Sequence, residues 1–547
     1  MKVKYKDKVF EYETDVELSV IANEVKKDYK KNIIVGSINN ILSSLDTVIS
    51  RDCEVDFFDI TSLYGNRTYE RGLYFLFSKA VKDILNCDVK IMHVMNKGVY
   101  CEILSNNIIS EVTLEKIKLR MDDLVKEELP IEKIVVSRLE TIDYYKKINQ
   151  LDKASSLRYI SNSSISLYKL DDTLDYFYGI LPNNTKLIDT YKLKFIKENK
   201  IMLFYPYLYD MDSELKYIKN DQLLEVINEN DKYLESMKIN TAPDLNQIIS
   251  RGNYADVIRI SESLLNSKLL NVVSKISKDK DIKMILITGP SSSGKTTIAK
   301  KLTLFLRSLG YNPIPISVDD FYKNIEEREL DEQGNIERER ISAFDTNLFN
   351  NKVDELLNGK EVTMPKFNFQ LDKRQWQDEK VKMGEKSILV VEGIQSFNDK
   401  LTEIIPDKNK FKIFVSPFTP LNIDNHNLFR STDNRLLRRI VRDNKQRNKS
   451  ASETLKAWRQ VRKIEEEIIL PYVNEADEII NTSLAYELGV LKTYAEPLLF
   501  SVNEDDENYD EALRLINLFR IILGMPSDSV PEDSIIREFI GGSCFEK

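Results

Sequence analysis

The sequence predicts an α/β protein whose C-terminal half is built on a mostly parallel sheet. Three apolar runs, at residues 284–287, 314–318 and 386–393, have the length and composition of buried parallel strands. The first run leads through a glycine-rich loop into residues 297–309, which have helical periodicity and stop at Gly310. Strand, loop and helix in this order are typical of sheets that bind ligands at the carboxyl ends of their strands.

The glycine-rich loop has the spacing Gly-x-x-x-x-Gly-Lys-Thr between Gly289 and Thr296. Glycines let backbone N–H groups wrap around phosphate oxygens, and the N-terminus of the following helix favours anions. Lys295 is expected to contact the β- and γ-phosphates, and the Thr296 hydroxyl is expected to ligate Mg²⁺. The loop therefore predicts a P-loop NTPase fold that binds ATP and Mg²⁺, since a chance match would not explain the strand before it and the helix after it. The residues predicted to bind the nucleotide are Gly289, Ser291, Ser292, Ser293, Gly294, Lys295, Thr296 and Thr297.

Acidic residues end the second and third apolar runs. Asp319 and Asp320 follow the second run, and Glu392 closes the third. Because the carboxyl ends of parallel strands meet at one edge of a sheet, these carboxylates are expected beside the glycine-rich loop. Glu392 is predicted to hold Mg²⁺ together with Thr296.

Composition and charge exclude several classes of protein. The 547 residues predict more than one domain, and 42% hydrophobic with 31% charged residues describe an ordinary soluble protein. No apolar stretch is long enough to cross a bilayer and the N-terminus lacks a signal-peptide core, so a cytoplasmic protein with no membrane partner is expected. The four cysteines have no metal-clamp spacing, and the net charge of −9 argues against nucleic-acid binding.

The chain is predicted to contain four regions. They are a β-grasp domain at residues 1–60, an α+β domain at 61–225, a helical connector at 226–280, and the P-loop domain with a C-terminal extension at 281–547. Within the first two regions, the predicted elements are a hairpin near the start, helices at 16–29, 69–85 and 114–128, strands at 33–35 and 46–49, and two strands joined at 96–98.

The first two regions resemble the N-terminal part of threonyl-tRNA synthetase, in which a TGS domain precedes the domain that edits mischarged tRNA. In that family the editing domain uses two histidines on its first helix and a later Cys/His pair. The matching helix here, at residues 69–80, has no histidine, and the later segment reads Asp-Tyr-Phe-Tyr-Gly-Ile-Leu-Pro at 175–182. Only His93 and His426 occur in the chain, and His93 is expected to pack in a strand. The resemblance therefore implies a structural, regulatory or ligand-sensing module without editing chemistry.

Six motifs in the P-loop domain together resemble the uridine kinase group of P-loop kinases. They lie at residues 289–297, 317–322, 343–345, 364–369, 391–393 and 435–443. The resemblance covers residues 280–485 and implies that Asp319 is the general base on the 5′-hydroxyl of a nucleoside. It further implies that Tyr322, Phe367 and Phe369 line the nucleoside pocket and that Glu339 holds ribose hydroxyls. Where uridine kinases place a histidine against the pyrimidine, this chain has Asp372, so the identity of the base is left open.

A basic run follows between residues 435 and 449, with seven Lys/Arg against one acid, Asp443. A solvated helix face is the usual explanation of such a run. The resemblance implies instead a lid helix whose arginines neutralise the transferring phosphoryl group, with Arg442 in a catalytic role and Arg439 and Arg447 on the substrate.

Two functions from different classes fit these patterns. The first is an ATP-dependent nucleoside kinase, with a phosphoribulokinase-like kinase of another small hydroxyl acceptor as its nearest alternative. The second is an RNA- or ribosome-associated NTPase switch. Successive side chains at an extended strand end point to opposite sides, so only one of Asp319 and Asp320 is expected to face the phosphate site. The spacing of the motif selects Asp319. The oligomeric state is left open and a homo-oligomer is allowed, and no pattern predicts a role for the tail at 541–545.

Overall fold

The computed structural model describes residues 1–95, 97–211, 214–328, 339–369 and 371–545. Its first 60 residues form a small mixed sheet with one helix across it. The elements are β1 (Lys2–Tyr5), β2 (Lys8–Glu11), β3 (Val16–Glu17), α1 (Leu18–Val25), β4 (Ile33–Ile38), β5 (Ile41–Ser43), β6 (Val48–Ile49) and β7 (Cys53–Asp59). The main sheet has the order β2-β1-β7-β4-β5, and β1 runs parallel to β7. The helix is shorter than predicted and β7 was not predicted, and the TGS resemblance stays a prediction.

The second region, which we call the second module, combines two antiparallel sheets with four helices. Its elements are α2 (Leu63–Leu85), β8 (Val89–Met95), β9 (Gly98–Ile103), α3 (Glu111–Lys126), β10 (Ile131–Ser137), α4 (Arg138–Lys147), α5 (Leu151–Arg158), β11 (Ser164–Leu170), β12 (Thr173–Asp175), β13 (Lys192–Lys197) and β14 (Lys200–Phe204). The sheets have the orders β13-β14-β9-β8 and β10-β11-β12. Helix α2 begins earlier than predicted because the Ser62 hydroxyl caps it by accepting from the Gly65 amide at 3.0 Å.

Three helices connect this module to the P-loop domain. They are α6 (Asp221–Ser236), α7 (Ala242–Ser250) and α8 (Tyr254–Lys278). The predicted boundary at residue 225 was wrong in one respect, since it falls inside α6. The start of α7 carries a capping box between Thr241 and Asp244, which accounts for the position of this helix start.

The P-loop domain is built on a five-stranded sheet in which every strand is parallel to its neighbours. Its elements are β15 (Met284–Thr288), α9 (Lys295–Ser308), β16 (Asn312–Ser317), α10 (Thr346–Leu357), β17 (Val362–Asn368), β18 (Lys373–Val381), β19 (Ser387–Glu392), α11 (Asp399–Thr402), β20 (Lys410–Ser416), α12 (Ser431–Arg447), α13 (Ala451–Ile464), β21 (Glu478–Asn481), α14 (Glu487–Phe500), α15 (Tyr509–Phe519) and α16 (Arg537–Ile540). The sheet order is β16-β19-β15-β20-β21, and β17 and β18 form a separate hairpin. The predicted α/β fold is confirmed for this part of the chain.

Both faces of the central sheet are buried, which explains why its strands read as continuous apolar runs. In β15, Ile285 and Ile287 face a core shared with helices α8, α9, α12 and α14, whereas Met284 and Leu286 face the opposite core. That second core includes residues of α10 and also Met202 of the second module. The second module therefore packs directly against the P-loop domain.

Two local predictions were wrong. The strand predicted at 314–318 ends at Ser317, and the backbone continues as a 3₁₀ turn, Val318–Phe321, so strand alternation does not separate Asp319 from Asp320. The sequence of residues 452–472 also predicts one long helix, but that helix ends at Ile464 and gives way to a π turn and then a 3₁₀ turn. No helix in the described ranges is long and apolar enough to span a membrane.

Candidate active site

The glycine-rich loop is held in a conformation that requires its glycines. Gly289 and Gly294 have φ angles of 151° and 91°, and a Cβ atom on Gly289 would lie 2.0 Å from the carbonyl oxygen of Val415. The loop thus runs against the end of β20, and α9 begins immediately after it at Lys295. This places the N-terminus of a 14-residue helix at the carboxyl edge of the sheet.

Several polar groups of the loop fit a phosphate. The hydroxyls of Ser292 and Ser293 are buried and have no hydrogen-bond partner among the described residues. The Lys295 ammonium donates to the Pro290 carbonyl at 3.0 Å, and burial lowers the pKa of Lys295. Buried polar groups without partners are costly, so a cradle of this kind fits an anionic ligand.

Glu392 and Thr296 meet at the sheet edge, as predicted for an Mg²⁺ site. The Thr296 hydroxyl lies 3.5 Å from a Glu392 carboxylate oxygen, which also accepts from the Ser317 hydroxyl at 2.9 Å. Burial, and next the negative charge of Asp319, raise the pKa of Glu392 to about 7. Oxygen ligands around a desolvated carboxylate fit Mg²⁺, which usually takes one or two protein ligands together with substrate phosphates.

Asp319 and Asp320 have different surroundings although both line the same cavity. The Asp320 carboxylate accepts from the Phe367 amide at 3.1 Å and lies 3.4 Å from the Lys366 ammonium. The Asp319 carboxylate makes no hydrogen bond within the described ranges, and burial raises its pKa against the attraction of Lys295. Asp320 therefore binds the β17 strand, whereas the Asp319 carboxylate lines the cavity without a hydrogen-bond partner among the described residues.

Aromatic rings form one wall of the cavity. The Tyr322 and Phe344 rings stack with centroids 4.2 Å apart, and Phe367 lies 5.4 Å from Tyr322 and 5.2 Å from Phe369. Phe369 is 41% exposed, so this wall is open to a ligand rather than part of a closed core.

An arginine that the sequence did not single out lies against this wall. The Arg328 guanidinium is 5.3 Å from the centroids of both Tyr322 and Phe367. It donates to the Asp372 carboxylate at 2.9 Å. Asp372 therefore lies in the cavity as predicted, but with a cation already beside it.

Glu339 also lines the cavity, together with Tyr322, Phe367 and Phe369. Its backbone carbonyl accepts from the Gln395 side chain at 2.8 Å, and burial raises the pKa of its carboxyl group.

The basic helix α12 divides into two sets of arginines. Arg435 and Arg438 are buried and pair with Glu465 at 2.7 Å and Glu487 at 2.6 Å, which excludes a solvated face for these two. Glu465 also accepts from the Ser291 amide at 2.7 Å. This first set therefore fastens α12 to the glycine-rich loop.

The second set faces the cavity. Arg439, Arg442 and Arg447 lie 3.3, 2.9 and 3.6 Å from the carboxylate of Asp443. The like charge of Arg442, together with burial, lowers the pKa of Arg447 to about 10. Three guanidinium groups around one carboxylate leave an excess of positive charge, which fits a transferring phosphoryl group.

One cavity of about 600 Å³ collects these groups. The predicted residues that line it are Ser291, Ser292, Ser293, Gly294, Lys295, Thr296, Thr297, Asp319, Tyr322, Glu339, Phe367, Phe369, Asp372, Glu392, Arg439, Arg442 and Arg447. Gly289 shapes the loop behind them. Residues that sequence reasoning missed also line it, notably Arg328 and, from the C-terminal tail, Glu538, Ser543 and Phe545. No motif marks the tail residues, since they come from a part of the chain far from the loop.

Comparison with known proteins supports a kinase. Residues 284–485 match the model described as the Phosphoribulokinase / Uridine kinase family. A uridine kinase of Halobacterium salinarum is 28% identical over 214 residues, which cover 38% of this chain and 86% of that protein. The predicted resemblance to uridine kinases is thereby confirmed for this segment.

Two further similarities are weaker. A threonine–tRNA ligase of Clostridioides difficile is 26% identical over 198 residues, which cover 36% of this chain and 31% of the ligase. The chain therefore spans less than a third of that relative. A solved structure described as a possible uridine kinase from Bacillus stearothermophilus is 16% identical, with a TM-score of 0.27, and covers 39% of this chain and 98% of that protein.

Proposed function

We propose, from the match of residues 284–485 to the phosphoribulokinase/uridine kinase family model, that this protein is an ATP-dependent kinase acting on the 5′-hydroxyl of a uridine- or cytidine-like nucleoside. The observation that carries the proposal is that one cavity combines a phosphate cradle, the half-buried carboxylate of Asp319 and an aromatic wall. An NTPase switch needs no wall for an acceptor, so this combination favours a kinase.

The nucleotide end of the cavity has an assigned role for each group. The backbone of the glycine-rich loop and Lys295 would bind the phosphates of ATP. Thr296 and Glu392 would hold Mg²⁺, which supplies positive charge to the phosphate oxygens when bound. Arg442 would neutralise charge on the phosphoryl group during transfer, because a guanidinium fixed in a water-poor cavity stabilises developing charge without reorganising.

Asp319 is the proposed general base. A carboxylate whose pKa is raised by burial accepts a proton more readily, and burial raises the pKa of both Asp319 and Asp320. Asp320 already accepts from the Phe367 amide and lies beside Lys366, whereas the Asp319 carboxylate accepts no hydrogen bond within the described ranges. Asp319 would take the proton of the acceptor hydroxyl as that oxygen attacks the γ-phosphorus in line.

The acceptor end would bind the base against Tyr322, Phe367 and Phe369, with Glu339 on the ribose hydroxyls. One observation favours a second candidate, a phosphoribulokinase-like kinase of another small hydroxyl acceptor. The Arg328–Asp372 ion pair stands where uridine kinases place a histidine, and it presents formal charges to the acceptor.

An acceptor screen tests the proposal. The full chain would be incubated with ATP and Mg²⁺ and single members of two panels, nucleosides and sugar phosphates, and ADP formation would be followed. We expect acceptor-dependent ADP formation within the nucleoside panel, with the phosphorylated product identified by mass spectrometry. Turnover restricted to sugar phosphates would select the second candidate, and ATP hydrolysis indifferent to every acceptor would contradict both.

A further inference from the structure

The C-terminal segment, residues 535–545, lies against the glycine-rich loop. A Cβ atom on Gly294 would come within 2.6 Å of the Ile535 side chain, so the segment touches the loop backbone itself. The Glu538 carboxylate accepts from the Thr297 amide at 3.2 Å and from the Thr297 hydroxyl at 2.7 Å. We propose that Glu538 is a built-in competitor of the nucleotide, which takes the hydrogen-bond donors of Thr297 until a phosphate group displaces it.

The position of Thr297 is the physical reason for competition. It is the third residue of α9, so its amide is one of the first four of the helix and has no partner within the helix. An anion placed there satisfies the amide and interacts favourably with the helix dipole. A carboxylate and a phosphate oxygen cannot both occupy one amide and one hydroxyl, and their like charges repel. Nucleotide binding therefore requires Glu538 to withdraw.

The rest of the segment is held by polar contacts from two helices. The Lys300 ammonium of α9 donates to the Phe545 carbonyl at 3.0 Å. From the lid helix α12, Lys445 donates to the Ile540 carbonyl at 2.9 Å and Gln446 to the Glu538 carbonyl at 3.1 Å. The segment thus bridges the phosphate-binding helix and the lid, so its displacement by nucleotide would also loosen it from the lid.

Burial within the segment indicates which part moves. Phe539 is fully buried in the core of the P-loop domain, whereas Glu538 lines the cavity. Gly541 and Gly542 follow with φ angles of 84° and 74°, a backbone conformation that leaves the residues beyond them turned back onto the cavity. We assign the movement to the Glu538 side chain and residues 541–545, with Phe539 as the fixed point.

The inference rests on the proposed function, because it takes the donors at the start of α9 to be phosphate ligands. Direct measurements of nucleotide binding distinguish a failure of this inference from a failure of the proposed function. Binding of a non-hydrolysable ATP analogue with Mg²⁺ to the full chain would be measured by calorimetry for the wild type, Glu538→Gln and Glu538→Ala. The matched control is Glu532→Gln, an exposed acid just ahead of the same segment.

Removing the competing charge should tighten nucleotide binding by about ten-fold, the equivalent of one charge-assisted hydrogen bond. Glu538→Ala should exceed Glu538→Gln, because glutamine retains an acceptor oxygen, and Glu532→Gln should match the wild type. Unchanged nucleotide binding in both Glu538 variants would mean that Glu538 does not affect binding, and weaker binding would mean that Glu538 contributes to it. Either result would overturn the proposal that Glu538 competes with the nucleotide. Failure of the wild type and all variants to bind the analogue would overturn the proposed function as well.

A second measurement does not depend on Glu538 substitutions. The Gly541 amide donates to the Arg537 carbonyl at 2.8 Å, and the Cys544 amide to the Glu532 carbonyl at 3.0 Å. If the nucleotide displaces the segment, hydrogen exchange at residues 541–545 of the wild type should become faster when the analogue is added. Slower exchange there would mean that the segment closes over the nucleotide and would contradict the proposal. Lys445→Met, which removes one contact with α12, should tighten binding in the same direction as Glu538→Gln but by less.

Discussion

Two clusters of charge lie in this protein, and the pKa values of their carboxylates shift in opposite directions although burial opposes ionisation in both. In the active-site cavity, burial raises the pKa of Asp319 and raises that of Glu392 to about 7. The inter-module cluster consists of Asp88, Lys153, Asp175 and His426, and joins the second module to the loop before α12. There burial also opposes ionisation, but the positive charges of Lys153 and His426 outweigh it and hold the pKa of Asp175 below its usual range.

The geometry of the inter-module cluster explains the difference. The two ring nitrogens of His426 lie 2.6 Å from Asp175 and 2.7 Å from Asp88. Burial and Lys153 would lower the pKa of His426, yet these carboxylates raise it to about 10. Charges that neutralise one another inside the chain hold structure, whereas the raised pKa values of the cavity carboxylates fit the proposed binding of a cation and uptake of a proton.

The two clusters also differ in the volume of the cavity beside them. The active-site cavity has about 600 Å³, whereas the pocket beside His426 has about 60 Å³. On α2, a Cβ atom on Gly72 would lie 2.7 Å from the Pro182 ring, so the helix packs closely against Pro182 at this point.

The largest effect expected on the active-site side comes from Lys295→Ala. Phosphoryl transfer should fall by about 10³-fold or more, because the variant removes a fixed positive charge from the phosphate site. The fold should survive with a change in unfolding free energy within about 1 kcal/mol, since Lys295 sits on a loop edge and not in the apolar core. Steady-state kinetics and thermal unfolding of the same preparation check this, and an active variant would remove the loop from the mechanism.

Asp319→Asn should produce the next largest loss. Asparagine keeps the size of aspartate but cannot accept the proton, so single-turnover phosphoryl transfer should fall by about 10²–10⁴-fold while ATP still binds. Asp320→Asn is the matched control and should have a much smaller kinetic effect, although it weakens the contact with Phe367. The reverse order of effects would move the base by one residue, and no effect from either would contradict the kinase mechanism.

On the structural side, His426→Gln should destabilise the fold by about 3–5 kcal/mol, because it leaves buried carboxylates with one cation fewer. The pKa of His426 is raised from 6.5 to about 10, so its contribution is complete below pH 6.5 and is lost as pH rises through 10. The stability difference between wild type and variant should therefore shrink between pH 6.5 and 10, as measured by urea unfolding. His93→Gln is the control, since within the described ranges His93 forms an ion pair with a single carboxylate, Asp231 at 3.1 Å; a constant difference across this pH range would show that His426 does not carry the charge.

The parts of the site that could be predicted carry local signals. The loop 289–296 has its spacing within one strand–turn–helix unit, and Glu392 ends a run whose composition already indicates a buried strand. The 3₁₀ turn after Ser317 could not be predicted, because an apolar run shows where a strand passes through the core but not where its backbone turns.

The sequence did not predict which acidic and basic residues pair with each other across long stretches of the chain. The basic run on α12 was predicted to form a lid over the phosphates, yet Arg435 and Arg438 pair with acids 30 and 49 residues away. Glu538 is 241 residues from Thr297 in the chain. Pairings of this kind depend on the tertiary arrangement and leave no periodic trace in the sequence, so periodicity and spacing do not reveal them.

Asp372 joins the two halves of the comparison, because it lies in the active-site cavity but has a permanent cation beside it, Arg328 at 2.9 Å. Asp372→His should shift the ratio of rates between pyrimidine and other nucleosides by about 1–3 kcal/mol, since an imidazole can donate or accept where a carboxylate only accepts. Histidine tolerates the φ of 51° at this position better than most residues do.

The measurement is competition between paired nucleosides at limiting ATP, with product ratios read by chromatography. Asp378→His on exposed β18 is the matched control and should leave the ratios unchanged. Arg328→Gln separates the remaining alternatives: if Asp372 reads the acceptor and Arg328 only positions it, this variant should shift the same ratio by less than Asp372→His. A larger shift from Arg328→Gln would mean that the guanidinium, and not Asp372, recognises the acceptor. Unchanged ratios in both variants would mean that the ion pair stabilises the structure, as the inter-module cluster does, and does not recognise the acceptor.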